Sequence, residues 1–253
     1  MVTSKEFLDV ALSAVKMGAR IAKSDFNTDL DISYKARREV VTNADFAVEA
    51  KIKNFVLKKF CDHGFWGEEE EEVLNTSDYR WVLDPIDGTY LYTRGIPFWC
   101  ISLALEYKGE AQIGVVYCPM LNQMFTAVKG KGSFCNDEKI SVSNRGKKDV
   151  VYFLANNEFF RKDKFFKPYR AALDSHNLRM NSFGSTAFEM CQLAAGRADV
   201  VFSYHVKPGD IAAALLIVRE AGGIVKTIDG KKANSSDSYV IATNKKLRGS
   251  IVV

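Results

Sequence analysis

Trp81-Val82-Leu83-Asp84-Pro85-Ile86-Asp87-Gly88-Thr89 is the stretch on which the reading of this chain turns. The run 79–83 has the composition of a buried strand, and it ends at Asp84. Pro85 has no N–H to donate, so it stops the ladder. Asp87 follows after one intervening residue. Gly88 permits close backbone approach, and Thr89 brings a hydroxyl. Two carboxylates this close to a buried strand end repel each other, and one stays protonated unless a cation neutralises both. An all-oxygen site built on one or two carboxylates suits Mg²⁺, which keeps its waters and recruits phosphate. The plain alternative is a strand-ending turn, because Asp-Pro and Asp-Gly are ordinary turn dipeptides.

Two other places concentrate carboxylates where a core would not want them. Gly67-Glu68-Glu69 opens a run of glutamates that extends to Glu72. Phe65 and Trp66 give it an apolar lead, which points to a short strand delivering Glu68 inward. The end of the run, from Glu70 to Glu72, reads most simply as a solvated surface. Pro208-Gly209-Asp210 stands directly before an apolar helix. Alone, Asp210 is a helix N-terminal acid favoured by the macrodipole. His63, His176 and His205 fall in none of these places and read as surface or structural residues.

Outward from these places the periodicity supplies the elements. Thr3 with Glu6 forms a capping box ahead of a helix whose face carries Phe7, Val10, Ala11, Ala14, Val15 and Ile21. A second helix follows residues 42–45 with Phe46, Val48, Ile52, Phe55, Val56 and Phe60. Strands are expected over 99–107 and 112–117, turned at Lys108-Gly109-Glu110, and over 123–128. The second half alternates. Strands are expected near 150–155, 179–183, 199–204, 224–228 and 239–242, with helices over 164–173, 186–196 and 211–221. A meander followed by an alternating half predicts a mixed α/β protein with two sheets. Residues 1–145 would form an α+β half bearing the acidic motifs. Residues 146–253 would form an α/β half that completes the site within one compact unit.

Composition narrows the function classes. The chain has 35 basic and 31 acidic residues, a net charge of +4, which is too small an excess to argue for nucleic acid. No apolar run approaches the ~20 residues that span a bilayer, so no membrane partner is expected. Lys5, Glu6, Asp9, Lys16 and Arg20 break up any signal-peptide core, and a cytoplasmic protein is expected. Cys61, Cys100, Cys118, Cys135 and Cys191 include no Cys-x-x-Cys pair. They read as free thiols of a reducing compartment, not as a disulfide framework or a structural zinc site.

Taken in order, the motifs resemble the inositol monophosphatase family of metal-dependent, lithium-sensitive phosphomonoesterases. The matching elements are Val41-Thr42-Asn43-Ala44-Asp45, Gly67-Glu68-Glu69, Asp84-Pro85-Ile86-Asp87-Gly88-Thr89 and Asp210-Ile211-Ala212-Ala213, which runs into Glu220-Ala221-Gly222-Gly223. Gly114-Val115-Val116-Tyr117 with Pro119, and Gly130-Lys131-Gly132 with Phe134-Cys135-Asn136, agree with it. The resemblance implies an α/β (α+β) fold, a layered αβαβα sandwich, in a homodimer. It implies that Glu68, Asp84 and the carbonyl of Ile86 hold a first Mg²⁺, and that Asp84, Asp87 and Asp210 hold a second. Glu68 would share a third, weaker ion, with Glu69 behind it, for two to three ions per site. Asp45 and Thr89 would orient and deprotonate the attacking water. Backbone N–H groups of Gly88 and Thr89 would face a phosphate oxygen. Gly184, Ser185 and Thr186 would touch the alcohol portion of the substrate.

The match departs at two positions. Gly209 stands where the family usually has tryptophan, so a ring that packs the base of the site is missing and Asp210 is expected to be held more loosely. Ser203 stands where many inositol-specific members have a glutamate; it would still bond a substrate hydroxyl, with less reach. Lys207 and His205 nearby would favour a second anionic group, and Lys35, Arg37 and Arg38 sit on a basic loop. The implied activity is hydrolysis of inositol monophosphate or a similar small phosphorylated polyol. The same chemistry on fructose 1,6-bisphosphate, 3′-phosphoadenosine 5′-phosphate or histidinol phosphate is the enzymatic alternative. A regulatory or binding protein with weak residual activity is the third.

Overall fold

The computed structural model describes residues 3–36, 39–156 and 177–251. Helix α1 (Ser4–Asp25) starts at Thr3, whose hydroxyl oxygen accepts the Glu6 N–H at 3.3 Å. A hairpin follows, β1 (Ile32–Ala36) with β2 (Glu39–Thr42), and leads into α2 (Asn43–Lys59). Then come β3 (Gly64–Gly67), β4 (Tyr79–Asp87), the single turn α3 (Thr89–Tyr92), β5 (Cys100–Tyr107), β6 (Glu110–Cys118) and β7 (Gln123–Val128). Strands β8 (Gly132–Cys135) and β9 (Glu138–Ile140) complete a sheet in the order β3-β4-β5-β6-β7-β8-β9. Only the β3–β4 pair in it is parallel.

The second half contributes β10 (Val151–Ala155), β11 (Leu178–Asn181), α4 (Thr186–Ala194), β12 (Val200–Tyr204), α5 (Pro208–Glu220), β13 (Ile224–Lys226), β14 (Tyr239–Thr243) and α6 (Arg248–Ile251). Its sheet runs β11-β10-β12-β14-β13. The expected helix over 164–173, together with Arg37, Arg38 and His176, lies outside the described residues.

Strand alternation sorts the cores. Trp81, Leu83, Ile101, Leu103, Leu105, Ile113 and Val115 face α1 and α2, against Phe7, Val15, Val48, Ile52 and Val56. Val82, Ala104, Val116 and Phe125 face the other way, against Ala187, Met190, Ile211 and Leu215 of α4 and α5. Leu154, Val201, Val240 and Ala242 close that core from the second sheet. The described layers therefore run helix, sheet, helix, sheet. The small sheet's far face carries Phe153, Phe202 and Ile241. Among the described residues no helix is long and apolar enough to cross a membrane.

His63 has a structural place, at the edge of the first core. Its ring stacks on Phe60 (4.8 Å) and Tyr79 (5.0 Å) and is 4% exposed. Burial holds its imidazole below the ordinary 6.5. The folded chain therefore binds fewer protons there than the unfolded one, so stability is complete above pH 6.5 and is lost as pH falls below it. His63→Phe should keep the stack and flatten this loss, read as melting temperature between about pH 7.5 and 5.

Candidate active site

Period two puts Asp84 on the same face of β4 as Val82, toward α5. Pairing with β5 then slips between Asp84 and Asp87, around Pro85. The irregularity sends the Ile86 side chain into the α1–α2 core while Asp87 turns toward α4. Glu68 follows the end of β3, which lies parallel to β4 with Gly67 opposite Leu83. Asp210 comes from the first turn of α5. One carboxylate oxygen each from Glu68, Asp84 and Asp210 falls within 4.8 Å of the others. Residues 142 positions apart thus share one acidic centre, from Glu68 to Asp210.

Two helix starts build the rest in the same way. Asp210 reaches back so that its carboxylate accepts the Lys207 N–H at 2.8 Å. Asp45, at the start of α2, accepts the Thr42 N–H at 2.8 Å and the Thr42 hydroxyl at 2.6 Å. Thr89 Oγ1 stands 2.9 Å from the Ile86 carbonyl and 3.3 Å from the other Asp45 oxygen, so its single proton can be given to either one. Asp45 and Thr89 are thereby brought together beside the carbonyl of Ile86. Gly88 makes the turn between β4 and α3 at φ 94°, a conformation glycine adopts without strain.

Asp87 stands outside the acidic triad. Its carboxylate accepts from the Ser185 hydroxyl (2.7 Å) and from the N–H groups of Thr186 (3.1 Å) and Ala187 (2.6 Å). Ser185 is 1% exposed, so the expectation that it touches substrate is corrected: its hydroxyl is committed to Asp87. Gly184 is exposed and Thr186 half-buried beside it. Ser203 is fully buried on β12, and its hydroxyl has no hydrogen-bond partner among the described residues.

Two buried glutamates that no motif contained hold these loops. Glu49, inside α2, accepts the N–H groups of Glu69 (3.0 Å) and Glu70 (2.9 Å) and so fixes the turn that bears Glu68. Glu189, inside α4, accepts those of Phe183 (2.6 Å) and Gly184 (3.1 Å) and fixes the turn that presents Ser185 to Asp87. Glu69 itself is turned inward and ion-paired to Lys35.

The electrostatics are those of crowded buried acids. Burial, with the charges of Glu68, Asp87 and Asp210, holds the Asp84 carboxyl well above its ordinary range. Burial and the charges of Glu68 and Asp87 push Asp210 up to about 8. Asp87 is pushed to about 6 by burial, against the bonds from Ser185, Ala187 and Thr186. Asp45 is pushed to about 7, again chiefly by burial, with Glu69 and Glu68 adding to it. A divalent cation among these oxygens relieves that strain, and an all-oxygen donor set is what Mg²⁺ takes.

Comparison with known proteins agrees with this geometry. The sequence profile of the inositol monophosphatase family matches residues 3–252. The chain belongs to the inositol monophosphatase family. It is 36% identical to the Nus factor SuhB of Pasteurella multocida, over 93% of this chain and 90% of that one. It is 32% identical to inositol monophosphatase 3 of Solanum lycopersicum, over 98% and 96%. The crystal structure of the extragenic suppressor protein suhB from Bartonella henselae superposes with a TM-score of 0.90 at 31% identity, covering 97% of this chain and 96% of that one. The fold is thus the layered α/β fold of this family, a family of phosphatases.

Within that family fold, Gly209 acquires a physical reason. The expected vacancy beneath Asp210 is absent. A Cβ on Gly209 would lie 2.9 Å from the Leu83 carbonyl oxygen and 3.0 Å from the Asp84 nitrogen and Cβ. The Gly209 carbonyl also accepts the Ser102 hydroxyl at 2.8 Å. Helix α5 therefore sits directly on the strand that carries Asp84, and Asp210 is held close. Gly209→Ala should destabilise by about 1–3 kcal/mol, the usual cost of overpacking, and should weaken Mg²⁺ binding by moving Asp84. A melting curve unchanged by the added methyl would refute the contact.

Proposed function

We propose that this chain is a Mg²⁺-dependent phosphomonoesterase acting on inositol monophosphate or a similar small phosphorylated polyol. The observation that carries the reading is the Glu68–Asp84–Asp210 centre with the Asp45–Thr89 pair beside it. Glu68, Asp84, Asp210 and the Ile86 carbonyl would hold Mg²⁺, with Asp87 as a further ligand and two to three ions in all. Bound there, divalent cations offset the phosphate dianion, acidify a water and stabilise the leaving alkoxide.

The chain's own groups do the rest. Thr89 Oγ1, held between Asp45 and the Ile86 carbonyl, orients the attacking water. Asp45 Oδ1 receives the proton relayed through that hydroxyl, and its pKa of about 7 suits a base at neutral pH. Backbone N–H groups of Gly88 and Thr89 face the phosphate, and Gly184 and Thr186 border the alcohol portion. Glu69 keeps Lys35 beside the centre. A homodimer is part of the same reading.

Phosphate release from inositol 1-phosphate, fructose 1,6-bisphosphate, 3′-phosphoadenosine 5′-phosphate and histidinol phosphate tests it, with Mg²⁺ titrated and Li⁺ added. Mg²⁺-dependent turnover led by inositol 1-phosphate is expected. Preference for another of the four moves the substrate and keeps the chemistry. The name Nus factor on the Pasteurella relative favours a second reading, a regulatory or binding protein with weak residual activity. Silence of all four substrates at saturating Mg²⁺ would favour that reading.

A further inference from the structure

Lys207 touches two of the three acids in the centre at once. Its backbone N–H donates to Asp210 at 2.8 Å, and its ammonium donates to Glu68 Oε1 at 3.2 Å. The same ammonium lies 2.9 Å from Glu39 Oε1 on β2. The residue is held in place on both sides. Pro208 follows it and opens α5, and two residues before it His205 lies in the left-handed region at φ 56°. Its side chain keeps 35% of its exposure, so the ammonium has somewhere to go. Lys35 reaches the same Glu68 oxygen from β1, at a looser 3.8 Å.

We propose that Lys207 is a built-in competitor for the metal at Glu68, and that Glu39 takes its ammonium when a divalent cation arrives. The inference rests on the metal-dependent reading above. A Mg²⁺ ion takes carboxylate oxygen at roughly 2.0–2.1 Å. An ion on Glu68 Oε1 would therefore stand close to an ammonium already bonded to that oxygen, and like charges at this range repel. Glu39, 47% exposed on the hairpin, offers the displaced charge a partner that the metal does not use. The Lys207 ammonium thus keeps Glu68 neutralised in the metal-free chain and lowers metal affinity. Glu39 limits the penalty.

Titration calorimetry with MgCl₂ alone, on the full chain at fixed pH and ionic strength, tests this without any substrate. Lys207→Met keeps the length and removes the charge, and should bind Mg²⁺ roughly tenfold more tightly, about 1.4 kcal/mol. Lys207→Arg should stay near the wild-type affinity. Glu39→Gln should bind more weakly, because the ammonium then has only Glu68. Equal or weaker binding by Lys207→Met, with the wild type binding normally, would overturn the competitor role alone. Unchanged or tighter binding by Glu39→Gln would overturn the part given to Glu39. No Mg²⁺ heat from the wild type or any variant would overturn this inference together with the proposed function.

Discussion

Mg²⁺ should raise the melting temperature of the metal-free protein far more at about pH 8 than at about pH 5.5. Asp84, Asp87, Asp210 and Asp45 all have carboxyls raised above the ordinary 3.8, with burial the largest cause in each. A carboxyl raised in the folded state binds more protons there than when unfolded. Its contribution to stability is fully present below the unfolded pKa and is lost as pH rises through the folded one. Asp87 is pushed up to about 6 and Asp210 to about 8, so the loss spans that window. Above it the metal-free centre holds ionised acids that repel each other in a buried place. A divalent cation that binds only the folded chain reverses the loss by mass action, by ~2.7 kcal/mol at a hundredfold excess over Kd. Below about pH 5.5 protons compete for the same oxygens and the gain shrinks. Differential scanning calorimetry across pH, with and without Mg²⁺, reads this directly. Equal stabilisation at both pH values would refute a metal centre made of these acids.

Asp84→Asn should separate stability from activity. Asparagine keeps an acceptor for the Ile86 N–H, which Asp84 now receives at 2.9 Å, and it brings a donor toward Asp210, whose carboxylate oxygen lies within 4.8 Å. It also removes one buried charge from the crowd. The metal-free variant should therefore melt higher than the wild type at about pH 8, by at least ~1 kcal/mol or roughly 2–4 °C for a chain of this size. Phosphate release should fall on the order of a hundred- to a thousandfold, the scale for losing one preorganised charge-stabilising group. Such opposed effects mark acids kept for function at a cost in stability. A variant that lost stability and activity together would show Asp84 to be a structural residue.

How much of this was readable beforehand depended on the kind of signal. The strand that starts at Tyr79 and the hairpin turned at Lys108-Gly109 were legible because period two and turn chemistry are local, but the strand does not end at Asp84: past Pro85 it resumes pairing and runs to Asp87. Glu68 and Asp84 stood out because a carboxylate after an apolar run is conspicuous, whereas Asp210, which precedes its apolar helix, joined them only through the family resemblance. The β1–β2 and β8–β9 hairpins were not, since their strands are short and rich in polar residues. Glu49 and Glu189 were missed for a different reason. A glutamate within a helix reads as solvent-facing unless its face is checked. Glu49 does lie on the buried stripe with Asp45, Val48, Ile52 and Val56, so the signal existed. Ser185 and Gly209 failed because their roles depend on what lies across the core. No spacing shows that Asp87 claims the Ser185 hydroxyl or that Leu83 and Asp84 leave no space at Gly209.

The most direct test of the central claim is phosphate release from inositol 1-phosphate by the wild type and Asp84→Asn, measured side by side as Mg²⁺ is raised from a chelated start. Release that is absent under chelation, saturates with Mg²⁺ in the wild type and nearly vanishes in Asp84→Asn is the predicted result. Release that survives chelation, or that is the same in both proteins, would contradict it.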